Sequence, residues 1–286
     1  MKNKNQVIVI TGGGRGLGAL LGQRIVERGG RVALLDVNES DLSEMKQRLG
    51  AECSTRTCDV RNLQSLTEAM ADINNAFGHI NCVVANAGIL SLGSIEGMNP
   101  DDFQRTMDVN VIGVFNTIRA SIPYLRQSHG YLQVISSLAA AIPTPWRSHY
   151  AASKAAVEAL ADVARQELRP DGIDVGCVHP TFTHTQMLKD AHAQGGDKLW
   201  SQHKGLFSSI EPEEVVHAMY QGIVRRERKT IVPKLLAPAI VAPGLVHWAI
   251  EKLGRLQGSE DAIQACQENE RRQPTPLKSK AKKAAA

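Results

Sequence analysis

Residues Val7 to Gly18 constrain this chain more tightly than any other stretch. A short apolar run, Val7 to Ile10, ends in Thr11-Gly12-Gly13-Gly14-Arg15-Gly16-Leu17-Gly18. A helical pattern follows to Arg28, with apolar or small positions at Leu17, Leu20, Leu21 and Ile25. A backbone that turns sharply from strand into helix, with the helix's free N–H groups facing a phosphate, has no room for Cβ atoms at the turn. Glycines alone would mark only a turn. Strand, glycines and helix in that order predict a pyrophosphate cradle for a dinucleotide.

The rest of the first half repeats the alternation. Arg31 to Leu35, Cys82 to Ala85, Leu132 to Ile135 and Ile173 to Val178 read as buried strands, and Asp41 to Leu49 as a helix. Short apolar strands separated by helices imply crossover connections and a parallel sheet covered on both faces. Asn99-Pro100-Asp101-Asp102 is a helix start, with a cap, proline in the first turn and acids at the positive end of the dipole. Glu211-Pro212-Glu213-Glu214 repeats it. The prediction is an α/β fold, a single Rossmann-like doubly wound domain with a parallel sheet flanked by helices on both faces. Residues 1–230 form the dinucleotide-binding catalytic domain, 231–260 an apolar extension packed on that domain or a partner, and 261–286 a polar, basic, disordered tail.

Charge distribution narrows the partners. The stretch Arg271 to Ala286 carries six basic residues and no acidic one. The chain's 33 basic residues less those six leave 27 against 29 acidic ones, so the body has no nucleic-acid surface. Five scattered cysteines without a C-x-x-C pair argue against a disulfide framework or structural zinc and fit reduced thiols. Met1 to Gln6 is polar and runs straight into the first strand, so no signal-peptide core is expected, and a cytoplasmic setting is.

The spacing T-G-x-x-x-G-x-G resembles the short-chain dehydrogenase/reductase family rather than the ordinary dinucleotide fingerprint. By that resemblance Gly12, Gly14, Arg15, Gly16, Leu17 and Gly18 hold the cofactor. Asp36 ends the second strand, where a carboxylate accepts hydrogen bonds from the adenosine ribose and repels a 2′-phosphate, favouring NAD over NADP. Arg15 pulls the other way, since NADP-dependent members often carry a base there, but Val37 stands where many of them add an arginine. Asp59 and Val60 resemble the family's adenine contact, although Asp59 alone also reads as a helix cap. Asn86-Ala87-Gly88 resembles its N-A-G motif after the fourth strand.

Tyr150 and Lys154 lie four apart, one turn apart on one helix face. A free tyrosine titrates near ~10, too high for acid–base work at neutral pH, and a nearby cation lowers it. Taken alone, Y-x-x-x-K is a common surface pair. Ser137, thirteen residues upstream, matches the family's serine-to-tyrosine spacing, and Asn110 matches its helical asparagine. The resemblance implies that Ser137 polarises the substrate oxygen and Tyr150 exchanges the proton. It further implies that Lys154 lowers the tyrosine pKa and holds the nicotinamide ribose, while Asn110 positions a water. Ser136 rivals Ser137 for its role.

Beyond the sixth strand, His179-Pro180-Thr181-Phe182-Thr183-His184-Thr185 keeps the family's Pro180 and Thr185 but has Thr181 where glycine is usual. Pro180, Thr183 and Thr185 are the expected nicotinamide contacts. A β-branched residue resists positive φ, so the local backbone is expected to differ. His149, His179 and His184 lack metal-ligand spacing and read as packing or pocket-lining groups, and no metal is expected. A flap at about 185–207, with Met187, Leu188, Leu199, Trp200, Leu206 and Phe207, would face walls built from 92–97 and 139–146, with Leu138, Ile142, Pro143 and Trp146 among the lining residues. Such a pocket suits a hydrophobic secondary alcohol or ketone, steroid-like or lipid-like.

Leu235 to Ile250 contains no Asp, Glu, Lys or Arg, but is shorter than the about twenty residues a membrane span needs and is broken by Pro238, Pro243 and Gly244. It reads as a partner contact, a cover for the substrate entrance or, less favoured, a shallow membrane contact. Helices at about Asp102 to Gln127 and Ala151 to Leu168, the second rich in alanine, match those that pair family members into homodimers or homotetramers. Two alternatives stay open: a 3-oxoacyl-carrier-protein-type reductase using NADP(H), and a non-catalytic cofactor-binding regulator.

Overall fold

Every residue of β1 (Val7–Thr11) is buried, because both of its faces are covered. Side chains alternate across a strand. Val7 and Val9 join one apolar cluster, with Leu66, Met70, Ile73, Leu125, Val157 and Leu168 from one helical layer. Ile8 and Ile10 join the other, with Leu21, Ile25, Leu42, Met45, Val216 and Met219. This two-sided burial is why the strand sequence is continuously apolar rather than alternating. The computed structural model describes residues 5–187 and 209–245, together with residues 248, 252, 267 and 268.

Along the chain follow α1 (Gly16–Glu27), β2 (Arg31–Asp36), α2 (Glu39–Leu49), β3 (Cys53–Thr57), α3 (Leu63–Phe77) and β4 (Cys82–Ala85). Then come α4 (Pro100–Met107), a π-helical turn (Asp108–Ile112), α5 (Gly113–Ser128), β5 (Tyr131–Ile135), α6 (Ser148–Leu168), β6 (Asp174–Pro180), α7 (Pro212–Arg225), β7 (Lys229–Val232) and α8 (Ala237–Val241). The seven strands form one sheet in the order β3-β2-β1-β4-β5-β6-β7, and every neighbouring pair is parallel. This is the Rossmann-like doubly wound sheet with helices on both faces. The strand order reverses between β1 and β4, and the crevice at their carboxyl ends is where such sheets bind ligands.

Some boundaries move. The helix expected over Asp102 to Gln127 is two α-helices joined by the π-helical turn, and Asn99 caps the first by accepting from the Asp101 N–H at 3.0 Å. The boundary expected near residue 230 falls inside β7. Beyond it, Leu236, Ala239 and Ile240 pack against Leu138, Ala141 and Ile142, so this part of the extension covers the segment after β5. Among the described residues no helix is long and apolar enough to cross a membrane, and no cluster of His, Cys, Asp and Glu could hold a metal.

Candidate active site

The glycine turn closes on β4 through Thr11. Its hydroxyl accepts from the Asn86 and Ala87 N–H groups at 3.1 and 3.2 Å, while Asn86 Nδ2 donates to the carbonyls of Thr11 and Gly12 at 3.0 and 3.1 Å. Cradle and N-A-G segment are therefore one hydrogen-bonded unit. Gly12, at φ +65°, lies so close to β4's continuation that a Cβ would stand 2.9 Å from Ala87 Cα. Gly16, at φ +58°, has nothing within 4 Å of where its Cβ would project. Open space before backbone that only glycine adopts comfortably, at the start of α1, fits a pyrophosphate. Arg15 is exposed at the N-cap of α1.

Asp36 is held at the end of β2. Its Oδ2 accepts from Gly14 N–H at 3.0 Å and its Oδ1 from Asn38 N–H at 3.1 Å. A second carboxyl-bearing residue, Asp41, borders Gly14, whose Cβ would stand 2.9 Å from that of Asp41. Asp59 is engaged locally: Arg61 donates to its two oxygens at 3.0 and 2.9 Å through Nε, and this pairing holds the carboxyl below its usual range. Asn62, not Asp59, caps α3. Val60 is buried, and its carbonyl accepts from Asn116 Nδ2 at 3.0 Å.

Tyr150 lies in the first turn of α6, and Lys154 one turn on, with Nζ 5.6 Å from the tyrosine ring centroid. Lys154 Nζ donates to the Ile135 carbonyl at 2.8 Å. Burial lowers this ammonium to about 8, so it remains mostly a cation at neutral pH. Desolvation pushes the half-buried Tyr150 phenol up, while the Arg147 guanidinium and the Ser137 hydroxyl pull it down.

Ser137 caps the short turn after β5, accepting from Ala139 N–H at 3.1 Å, and its hydroxyl donates to the Pro180 carbonyl at 3.4 Å. Ser136 is buried and donates to the Lys154 carbonyl at 2.9 Å, a positioning bond that leaves Ser137 as the hydroxyl beside the phenol. Asn110 is fully buried in the π-helical turn. Its Oδ1 accepts from Ile89 N–H at 2.8 Å, and its Nδ2 donates to the Ile89 carbonyl and to Ser153 Oγ, both at 3.0 Å. A Cβ on Gly88 would stand 3.3 Å from Asn110 Oδ1 and 3.6 Å from Lys154 Nζ, so these three residues converge.

After β6 the backbone accommodates Thr181 without strain. It is not among the non-glycine residues at positive φ, and its N–H donates to the Val232 carbonyl at 3.0 Å. Pro180 is buried at the strand end. Thr183 is also buried, pairs with Ile210 in an isolated bridge, and donates to the Thr181 carbonyl at 3.0 Å. Thr185 N–H donates to the Thr183 carbonyl at 2.7 Å. Positions 188–207 of the expected flap lie outside the described residues. Of the histidines, His149 and His179 are buried, the first 3.1 Å from Ser91 Oγ and the second 3.3 Å from Glu158, while His184 is exposed.

Two contributors were missed. Thr11 stood in the quoted motif, but its polar side chain at the end of an apolar strand was not used. Arg147, buried at the N-cap of the tyrosine's helix and three residues before Tyr150, was not singled out because the helix had been expected to begin after it.

Residues 6–195 match the family model for short chain dehydrogenase. Dehydrogenase/reductase SDR family member 7B from Bos taurus is 29% identical over 257 residues, covering 85% of this chain and 79% of that protein. Estradiol 17-beta-dehydrogenase 11 from Pongo abelii is 26% identical over 239 residues, covering 81% and 76%. The solved 3-ketoacyl-(acyl-carrier-protein) reductase from Brucella melitensis complexed with NADH has a TM-score of 0.74 over 80% of this chain and 97% of its own; at 22% identity it speaks for the fold alone. The family match runs unbroken from β1 past β6, through the cradle and the helix bearing Tyr150, and on it this chain belongs to the short-chain dehydrogenase/reductase family of nicotinamide-dependent oxidoreductases.

Proposed function

We propose that the chain interconverts a secondary alcohol and a ketone on a hydrophobic substrate, using NAD(H), with Tyr150 as general acid and base. The observation that carries this is the convergence beyond the carboxyl ends of β4 and β5: Tyr150 with Lys154 one turn on, Asn110 and Gly88 beside Lys154, and Ser137 in the turn after β5. The chemistry supplied by the nicotinamide when bound is hydride transfer. Tyr150 Oη takes the alcohol proton in oxidation and returns it to the ketone oxygen in reduction. Ser137 Oγ orients that oxygen, and Lys154 Nζ holds the nicotinamide ribose. Asn110, locked by its three hydrogen bonds, fixes the turn from which a water would reach Lys154. Gly12, Gly14, Gly16 and Gly18 would hold the pyrophosphate, with Pro180, Thr183 and Thr185 along the nicotinamide.

Asp36, pinned by two backbone N–H groups with Asp41 nearby, supports NAD, since a 2′-phosphate there would face negative charge. The apolar run Leu138 to Ile142, directly after Ser137 and packed under Leu236, Ala239 and Ile240, supports an apolar substrate, steroid-like or lipid-like. Buried free thiols at Cys53, Cys58, Cys82 and Cys177 fit a cytoplasmic setting. Exposed Phe103, Ile112 and Phe115 around α4 and α5, with Val163 on α6, support a homodimer or homotetramer through those helices. The test is a panel of secondary alcohols and ketones with each cofactor. Turnover of apolar members with NAD(H) is expected, and turnover confined to acyl-carrier-protein substrates with NADPH would overturn the reading.

A further inference from the structure

Tyr150, Lys154 and Glu158 follow one another at intervals of four along α6. The helix face that carries the two groups of the proposed chemistry therefore carries a carboxylate one turn further on. Glu158 Oε1 lies 3.3 Å from His179 Nε2 on β6 and accepts from Lys229 Nζ on β7 at 2.7 Å. His179 has no exposed surface. It alternates with Cys177 on the strand face toward α6, where Cys177 packs in the apolar cluster with Val157 and Ala161. An apolar side chain would fit that face. Instead an imidazole stands there, with Cys177 Sγ 3.8 Å from its Nε2 and no hydrogen-bond partner for its Nδ1 among the described residues.

A buried imidazole with one unsatisfied nitrogen is a poor way to add stability. Replacing a buried charged pair by apolar groups of like volume is often neutral or stabilising, whereas removing one partner is costly. What the pair adds is location. Lys154 and Arg165 also tie α6 to the sheet, through the Ile135 and Val175 carbonyls at 2.8 and 2.7 Å. Those two reach backbone, which any residue at those strand positions supplies. Glu158 reaches a side chain, and the residue that bears it is bonded directly to Pro180. The Pro180 carbonyl accepts from Ser137 Oγ at 3.4 Å. That is long for an O–H···O bond, so the hydroxyl can exchange the carbonyl for a substrate oxygen while the carbonyl still sets its direction. The ladder extends the grip, since His179 and Pro180 pair with Ile231 and Val232, and Cys177 with Lys229.

We propose that Glu158 and His179 are a positioning pair for the reaction. By holding the end of β6 against the helix of Tyr150 and Lys154, they place the Pro180 carbonyl, and through it the Ser137 hydroxyl, relative to the Tyr150 phenol. This rests on the reading of Ser137 and Tyr150 as the groups that meet the substrate oxygen. Misplacing a reacting group by about 1 Å costs up to about a hundredfold in rate, so a small shift of the strand end is enough to be measured.

The experiment compares the parent with Glu158→Met/His179→Leu, in which both partners become apolar, each with and without Ser137→Ala. Tm, kcat and NADH affinity are measured for all four proteins. Tm should stay near the parent's. With Ser137 present, kcat should fall about tenfold or more; without it, the pair should cost little further, because its effect runs through that hydroxyl. His179→Gln, whose amide nitrogen can reach the place of Nε2, should keep most of the parent's rate, and the shorter His179→Asn should not. A kcat retained in the apolar pair, the same fold loss with and without Ser137, or equal rates in His179→Gln and His179→Asn would each overturn the inference and leave the pair a packing feature. Crystal structures of the parent and the apolar pair read the distance from Ser137 Oγ to the Pro180 carbonyl without turnover. It should change, and an unchanged distance would overturn the inference. If Ser137→Ala turns over as the parent does, the reading of Ser137 fails instead, and that distance still decides whether the pair positions it.

Discussion

Gly18 and Gly16 sit two residues apart in the cradle, and alanine at each should fail for a different reason. A Cβ on Gly18 would overlap the Gly12 carbonyl oxygen, stand 3.0 Å from the Gly12 carbonyl carbon and lie 2.8 Å from Asn86 Nδ2. The obstruction is backbone, so it cannot swing away. Overpacking of this kind costs about 1–3 kcal/mol. Displacing Asn86 Nδ2 from the Gly12 carbonyl adds about 1 kcal/mol. The helix preference of alanine over glycine offsets up to about 1 kcal/mol. Gly18→Ala should therefore lose about 2–3 kcal/mol without any ligand, a Tm drop of roughly 4–12 °C. Gly16→Ala meets open space. Its left-handed φ costs about 1–2 kcal/mol, and the stiffer unfolded chain returns roughly 0.4–1, so its Tm should fall by no more than about 6 °C. Its new methyl projects into the space assigned to the pyrophosphate, and NADH affinity should fall at least about tenfold, about 1.4 kcal/mol. Thermal melts of the free proteins and NADH fluorescence titrations read both. A Gly18→Ala protein as stable as the parent would refute the packing argument. A Gly16→Ala protein that binds NADH as the parent does would refute the placement of the cradle.

Asp36→Ala should weaken NADH binding and narrow its advantage over NADPH in competing titrations; an unchanged preference would remove Asp36 from the account. Glu158, 3.3 Å from His179 and 2.7 Å from Lys229, is held down to about 2 from 4.5, so it stabilises the fold above pH 4.5, and that contribution is lost as pH falls toward about 2. Glu158→Gln should accordingly be less stable at neutral pH and lose less on acidification in that window, measured by denaturant melts across pH. Asn110→Ala removes the partner of the half-buried Ile89 amide and carbonyl and of the buried Ser153 hydroxyl, and should cost about 2–3 kcal/mol in the same melts.

Much of the fold was legible because β1, β2, β4 and β5 are covered on both faces and so carry mostly apolar runs. β3 was not read as a run of its own because Cys53–Thr57 lies at the sheet edge, with only Cys53 buried and a polar remainder. β7, four residues at the opposite edge, gave the same weak signal. The π-helical turn leaves no trace in a periodicity count, since Asp108 to Ile112 continues the helical pattern on both sides, yet it carries Asn110 into the core. At the site, the cradle and the Tyr150–Lys154 offset were visible because glycines and helical offsets are local, while Ser137 and Asn110 came from the family's pattern. Arg147 was not. Its burial depends on Thr144, Phe182 and Gly93 meeting around it in space, and no local offset links the last two to it.

If Tyr150 moves the proton, removing its hydroxyl must stop the chemistry and little else. Tyr150→Phe keeps the ring that packs beside Lys154 and removes only the hydroxyl. With saturating NAD and the best alcohol of the panel, kcat should fall at least about a hundredfold, the range that positioned acid–base groups supply, while NADH affinity and Tm stay near the parent's. A Tyr150→Phe protein that turns over at the parent's rate would contradict the claim.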